Sequence, residues 1–109
     1  MSAESRAVEL RFTIDDRERG DVIVDALLRD RLVACAQRIG PVASRYRWKG
    51  AIEQADEWLY TCKTTAAYVD AAIDAVRASH PYETPEIIVC EIAGGLSEYL
   101  GWIVDETAG

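Results

Sequence analysis

The sequence predicts one α+β domain in which helices cover a single face of an antiparallel sheet, and three observations predict it. Apolar and polar residues alternate at period two over residues 8–14 and again over 42–64. Apolar residues recur at helical spacing over 23–27 and 69–76. Between the two long extended segments the turn signal is Lys49-Gly50, which makes them a hairpin.

Each element follows from its own pattern. Val8, Leu10, Phe12 and Ile14 alternate with Glu9, Arg11 and Thr13, which is a strand with one face in the core. Asp15 with Glu18 three positions on predicts a capping box opening a helix. Ile23, Ala26 and Leu27 carry its apolar stripe as far as about Arg31. Gly20 lies inside that helix, at an expected cost of about 1 kcal/mol relative to alanine. Leu32 to Ala36 reads as a short strand that Gly40-Pro41 interrupts, because proline donates nothing to a ladder.

Alternation resumes with Val42, Ser44, Tyr46 and Trp48 on one face, and Trp58, Tyr60 and Cys62 follow on the return arm. Thr64 or Thr65 is the expected cap of a second helix, whose stripe is Val69, Ala72, Ile73 and Val76. His80-Pro81 ends it, since the residue before proline is pushed out of the α region. Glu86 to Ile92 is a strand, Gly94-Gly95 breaks the chain, and Ser97 is the expected cap of a short last helix. The order β-α-β-β-α-β plus a terminal helix is the ferredoxin-like arrangement.

Size and composition bound the function. A chain of 109 residues is one domain, 1–109, and buries roughly 65% of its unfolded surface. With 50% hydrophobic and 28% charged residues it is not a disordered chain. No apolar run approaches the roughly 18 residues of a membrane span. Residues 1–6 lack the apolar core of a secretory signal and read as a flexible N-terminus, so the expected location is cytoplasmic. Twelve basic against nineteen acidic residues give a net charge of −7, which repels nucleic acid and favours cations. Cys35, Cys62 and Cys90 lie in apolar runs without metal-site spacing and are expected to be reduced and buried.

Helices on one face leave the other face of the sheet open. Yet Ile87 to Cys90 is apolar on both sides, and Trp48, Trp58 and Tyr60 crowd the hairpin. Burying about four such side chains is worth roughly 6–12 kcal/mol. Further copies of the chain are the expected cover, with Trp48, Trp58, Tyr60 and Ile88 at the interface; the terminal helix is the alternative.

The chain resembles the CutA divalent-cation-tolerance family from Leu10 to Trp102. The residues that carry the resemblance are Leu32-Val33-Ala34-Cys35, the segment Ser44 to Gly50 (SRYRWKG), Cys62-Lys63-Thr64, the heptapeptide His80 to Glu86 (HPYETPE) and Glu98 to Trp102 (EYLGW). The resemblance implies a homotrimer whose long hairpins pair between subunits, a role in tolerance of divalent cations, copper binding in some members, and no agreed enzymatic activity. It also implies a likeness to PII-type signalling trimers, which take a small metabolite between subunits. Phe12-Thr13 stands where a thiol has been considered a copper ligand, Ser79 where some members carry a second histidine, and Gln37 where asparagine is usual.

The sole histidine, His80, restricts the chemistry. As a ligand for Cu2+ or another divalent cation it needs carboxylates, Glu83 first and Glu86 next, or a neighbouring subunit. Its structural role is to end the helix. Lys63 with His80, Tyr82 and Glu86 forms an expected polar pocket at a subunit boundary, for an anion or small metabolite; the alternative is a salt bridge fixing the trimer. Tyr99 and Trp102 read as packing residues. Catalysis of the acylphosphatase type needs a phosphate cradle, where this chain has Asp15-Asp16-Arg17-Glu18, so the sequence predicts a protein that is not an enzyme.

Overall fold

The computed structural model describes residues 3–107. Strands β1 (Ala7–Ile14), β2 (Cys35–Trp48), β3 (Ala51–Thr65) and β4 (Ile87–Glu91) form one sheet in the order β2-β3-β1-β4, every pair antiparallel. Helices α1 (Arg17–Arg29) and α2 (Val69–Ser79) follow β1 and β3, and α3 (Ser97–Glu106) follows β4.

Directly paired residues share a face of the sheet. Leu10, Phe12 and Ile14 pair with Cys62, Tyr60 and Trp58, and this set packs on Ile23, Val24 and Leu27 of α1 and on Ala72 and Val76 of α2. Glu9, Arg11 and Thr13 pair with Lys63, Thr61 and Leu59 on the opposite face. Cys35 pairs with Lys63, and its Sγ lies 3.5 Å from Tyr99 Oη, so α3 covers one end of that second face.

Tyr60 is therefore not an interface residue, as the sequence suggested, but a core residue 1% exposed. Trp58 packs against the same core with the Arg38 guanidinium 5.9 Å from its ring centre. Period two reveals two faces without saying which one the helices choose. Phe12 and Tyr60 stack at 4.9 Å, and together with Leu10 they make the more apolar side, which the helices cover.

Gly20 faces this ring. A Cβ there would overlap Cε1, Cζ and Oη of Tyr60, so glycine is present for close approach and not at a net cost to the helix. The phenol reaches over α1, with Oη 2.8 Å from Asp21 Oδ1 and 3.0 Å from the Arg17 carbonyl oxygen. Arg38 Nη1 donates to the same carboxylate at 2.7 and 3.0 Å, tying β2 to α1.

The Tyr60 hydrogen bond, helped by Arg38 and opposed by partial burial, holds the Asp21 carboxyl below its ordinary 3.8. A depressed folded value stabilises the fold above the unfolded value, and that stability is lost as pH falls through the folded one. Acid unfolding below about pH 4 is expected to be shallower in Asp21→Asn than in the parent, read from melting temperatures between about pH 2 and pH 6.

Several ends differ from expectation. Asp16, not Asp15, caps α1, its Oδ1 accepting from Arg19 N at 3.1 Å; with Arg19 at the third helical position there is no reciprocal capping box, and the single side-chain bond makes the cap. Thr65 precedes a 3-10 turn, Ala66–Tyr68, without a side-chain cap, and the Thr64 hydroxyl donates to the Leu32 carbonyl at 2.7 Å. Ser97 is the first helical residue of α3, with Leu96 at the cap position. Cys62 is buried while Cys35 and Cys90 are half-buried, and burial pushes the Cys62 thiol up to about 12. Of the expected flexible N-terminus, Ala3–Ser5 form a 3-10 turn and Arg6 accepts from Ala66 N at 2.9 Å, while residues 1 and 2 lie outside the described residues.

Leu32 to Ala34 precede a single long β2 that runs through Gly40-Pro41, a cis peptide, with a bulge between Ile39 and Val42. Lys49 (φ 50°) and Gly50 (φ 84°) form the two-residue turn, whose doubly positive φ matches the twist of the arms. β1 ends opposite Trp58, so residues 42–57 leave the body as a two-stranded arm, and the molecule measures 46 × 26 × 21 Å.

Candidate functional site

A cleft of about 330 Å³ opens on the second face of the sheet, where the arm leaves the body. Strand alternation brings Thr13, Ala55, Glu57, Tyr46 and Trp48 to that face, and the connector from α2 to β4 closes it with Tyr82, Glu83, Thr84 and Glu86. Asp15 stands at the rim.

His80 sets the connector in place. Its Nε2 lies 2.7 Å from the Thr13 carbonyl oxygen, and its Nδ1 lies 3.2 Å from Tyr82 N. A carbonyl only accepts, so Nε2 carries the proton, and Nδ1 offers its lone pair to the amide. The ring is buried and meets Phe12 and Tyr82 edge-on, with centres at 6.2 and 4.6 Å. Tyr82 Oη then donates to Glu57 Oε2 at 2.8 Å. Burial, followed by that bond to Glu57, holds the Tyr82 phenol well above its ordinary range. Glu57 is itself buried, with its charge met by the phenol.

Metal ligation by His80 with Glu83 does not fit this geometry. Both imidazole nitrogens are committed to backbone groups, which leaves Glu83, paired at the surface with Lys49 at 3.7 Å, without the histidine as a co-ligand. Among the described residues no group of three or more His, Cys, Asp or Glu side chains could hold an ion. His80 ends α2 in extended conformation (φ −82°, ψ 136°), as its structural role requires.

The expected pocket of Lys63, His80, Tyr82 and Glu86 is divided within one chain. Tyr82 and Glu86 line the cleft, and His80 orients Tyr82 from below. Lys63 Nζ instead pairs with Glu9 Oε1 at 3.1 Å and donates to Gln37 Oε1 at 3.4 Å, four residues along β3 from Leu59, the partner of Thr13. Burial pushes the Glu9 carboxyl up, but hydrogen bonds from Arg11 and Lys63 outweigh it and leave the group lowered. The sequence reading missed Glu57, Tyr46 and Asp15; the alternation that placed Tyr46 beside Trp48 was the available signal.

The strand order β2-β3-β1-β4, with α1 and α2 on one face, defines a ferredoxin-like α+β domain. The family model described as CutA1 divalent ion tolerance protein matches residues 9–106, and the chain belongs to that family. It is 34% identical over 97 residues to the divalent-cation tolerance protein CutA of Salmonella newport, covering 89% of this chain and 84% of that one. It is 30% identical over 101 residues to the chloroplastic protein CutA of Arabidopsis thaliana, covering 93% of this chain but only 56% of the relative's length. The crystal structure of CutA from Xylella fastidiosa superposes with a TM-score of 0.91 at 37% identity, over 94% of this chain and 99% of that one.

Proposed function

We propose that the protein is a homotrimeric divalent-cation-tolerance protein that acts by binding and not by catalysis. The two-stranded arm of residues 42–57 carries the trimer. A lone ribbon of two strands is marginal in water, and β2 and β4 are the edges of the sheet. Exposed apolar residues mark both regions: Ile39 (52%), Trp48 (38%) and Ile52 (65%) on or beside the arm, and Ile88 (46%) on β4. An arm laid along a neighbour's β4 pairs an open edge and covers these side chains, and a head-to-tail contact of this kind closes as a ring. In this reading Trp48 and Ile88 are interface residues, whereas Tyr60 is buried in the core and Trp58 packs against it.

Ile88→Asp is expected to convert trimer to monomer at micromolar concentration, since it sets a charge on the face an arm would cover. Sedimentation velocity reads the outcome, and an unchanged sedimentation coefficient contradicts the interface.

Divalent cations, Cu2+ among them, are attracted by the −7 charge and meet carboxylates in place of His80. Titration calorimetry with Cu2+ tests this: Glu83→Gln with Glu86→Gln is expected to weaken binding, and equal binding by the parent and the double variant excludes these ligands. His80 has no ring nitrogen free for general-base work, which favours binding over catalysis. Free Cys35, Cys62 and Cys90 favour a reducing compartment such as the cytoplasm. No helix among the described residues is long and apolar enough to cross a membrane.

A further inference from the structure

We infer that His80 is a proton-operated latch, in which a proton taken at Nδ1 releases the connector of residues 81–86 from the sheet. The fixed tautomer carries this inference. Nε2 lies 2.7 Å from the Thr13 carbonyl oxygen and must keep its proton, so Nδ1, 3.2 Å from Tyr82 N, holds the ring's one free lone pair. A proton added to the ring goes to that lone pair, the acceptor of the Tyr82 amide. It sets one N–H against another, and it places a charge on a ring that is 9% exposed. Turning the ring over does not help, because an imidazolium has two donors and no acceptor. Phe12 and Tyr82 also hold it edge-on from two sides.

The groups around the ring favour its charged form once it leaves this seat. On the sheet side stand Asp15 past the end of β1, Glu57 on β3 and Tyr46 on β2. The connector itself carries Tyr82, Glu83 and Glu86. The cations nearby are Lys49, at the surface against Glu83, and Arg77 in the last turn of α2, whose carbonyl accepts from His80 N at 3.3 Å. Carboxylates predominate, so a released imidazolium finds acceptors. The sign follows from where the proton binds. It is taken by the released state, so release is favoured below the ordinary histidine range, about pH 6.5, and gains up to about tenfold for each pH unit below it.

The latch is buried and made within one chain, so it does not depend on which surface a neighbouring copy covers. The connector bears Glu83 and Glu86 and leads into β4. Its release therefore displaces the carboxylates proposed for divalent cations and loosens the edge proposed for a neighbour's arm. That consequence rests on the proposed trimer and cation ligands; the latch does not.

The test is NMR of the full-length protein in chelator between pH 7.5 and pH 5, where the sole histidine gives an unambiguous ring signal. At pH 7.5 the ring nitrogens should report the Nε2–H tautomer. As the ring takes its proton, protection of the Tyr82 amide, corrected for intrinsic exchange, is expected to fall at least tenfold, while that of Ala72 and Val76 in α2 holds. His80→Gln supplies a side-chain amide that donates and accepts but does not titrate, and its Tyr82 protection should stay level over the same range. A ring that becomes charged with Tyr82 protection unchanged overturns the inference, as does a ring still neutral at pH 5. An equal fall in His80→Gln assigns the response to the carboxylates and overturns it too. With chelator present, failure of the Cu2+ assignment does not enter this readout.

Discussion

Gly20→Ala is expected to destabilise the fold by about 2–3 kcal/mol, although alanine is the better helix former by about 1 kcal/mol. The added methyl overlaps the outer edge of the Tyr60 ring, which is held from three sides. Phe12 stacks on it at 4.9 Å, Asp21 takes its hydroxyl at 2.8 Å, and the strand pairing fixes its Cα. With no free direction for the ring, α1 must move, and the Arg38–Asp21 pair that ties β2 to α1 moves with it. The sign reverses when the ring is shortened: in Tyr60→Leu, which lacks the overlapping atoms, Gly20→Ala should be neutral or stabilising. Urea unfolding of the four proteins in this cycle checks it, and a cost that is the same in both backgrounds contradicts the packing explanation.

His80→Ala is expected to lower stability by about 2–4 kcal/mol, through a cavity next to Phe12 and the loss of partners for the buried Thr13 carbonyl and the half-buried Tyr82 amide. The second effect is local. Without the imidazole between the Thr13 carbonyl and the Tyr82 amide, the connector loses its anchor, and Tyr82 loses its position against Glu57. Hydrogen exchange should rise first at the amides of 82–86. The loss is expected to be the same after chelator treatment as with added Cu2+, because the ring binds backbone and not metal. A melting-temperature difference between parent and variant that appears only with copper present contradicts this assignment.

How much of this was legible follows the range of the interactions. The stripe through Ala72 and Val76 is local, and both residues are fully buried as their spacing predicts. The hairpin turn at Lys49-Gly50 is local too and stands as predicted. The ferredoxin-like arrangement followed from the order of the elements along the chain. Long-range partners were not legible. The carbonyl that fixes His80 belongs to Thr13, 67 positions away, and no pattern around His80 specifies it. Lys63 meets Glu9 because β1 pairs with β3 in one register, which periodicity alone leaves open. Tyr60 was assigned to the wrong face for a related reason: alternation is symmetric, and the interaction that breaks the symmetry is the fit of its ring over Gly20. The cleft was half visible, with Tyr82 and Glu86 found through the heptapeptide and Tyr46, Glu57 and Asp15 requiring the arm to be folded against it.

The projecting ribbon is expected to find its missing strand in another copy of the chain. Native mass spectrometry of the full-length protein at low micromolar concentration decides this most directly. The predicted result is a dominant species at three times the 12.1 kDa chain mass, persisting on dilution. A dominant species at the single-chain mass, with the arm amides still protected from exchange, contradicts it.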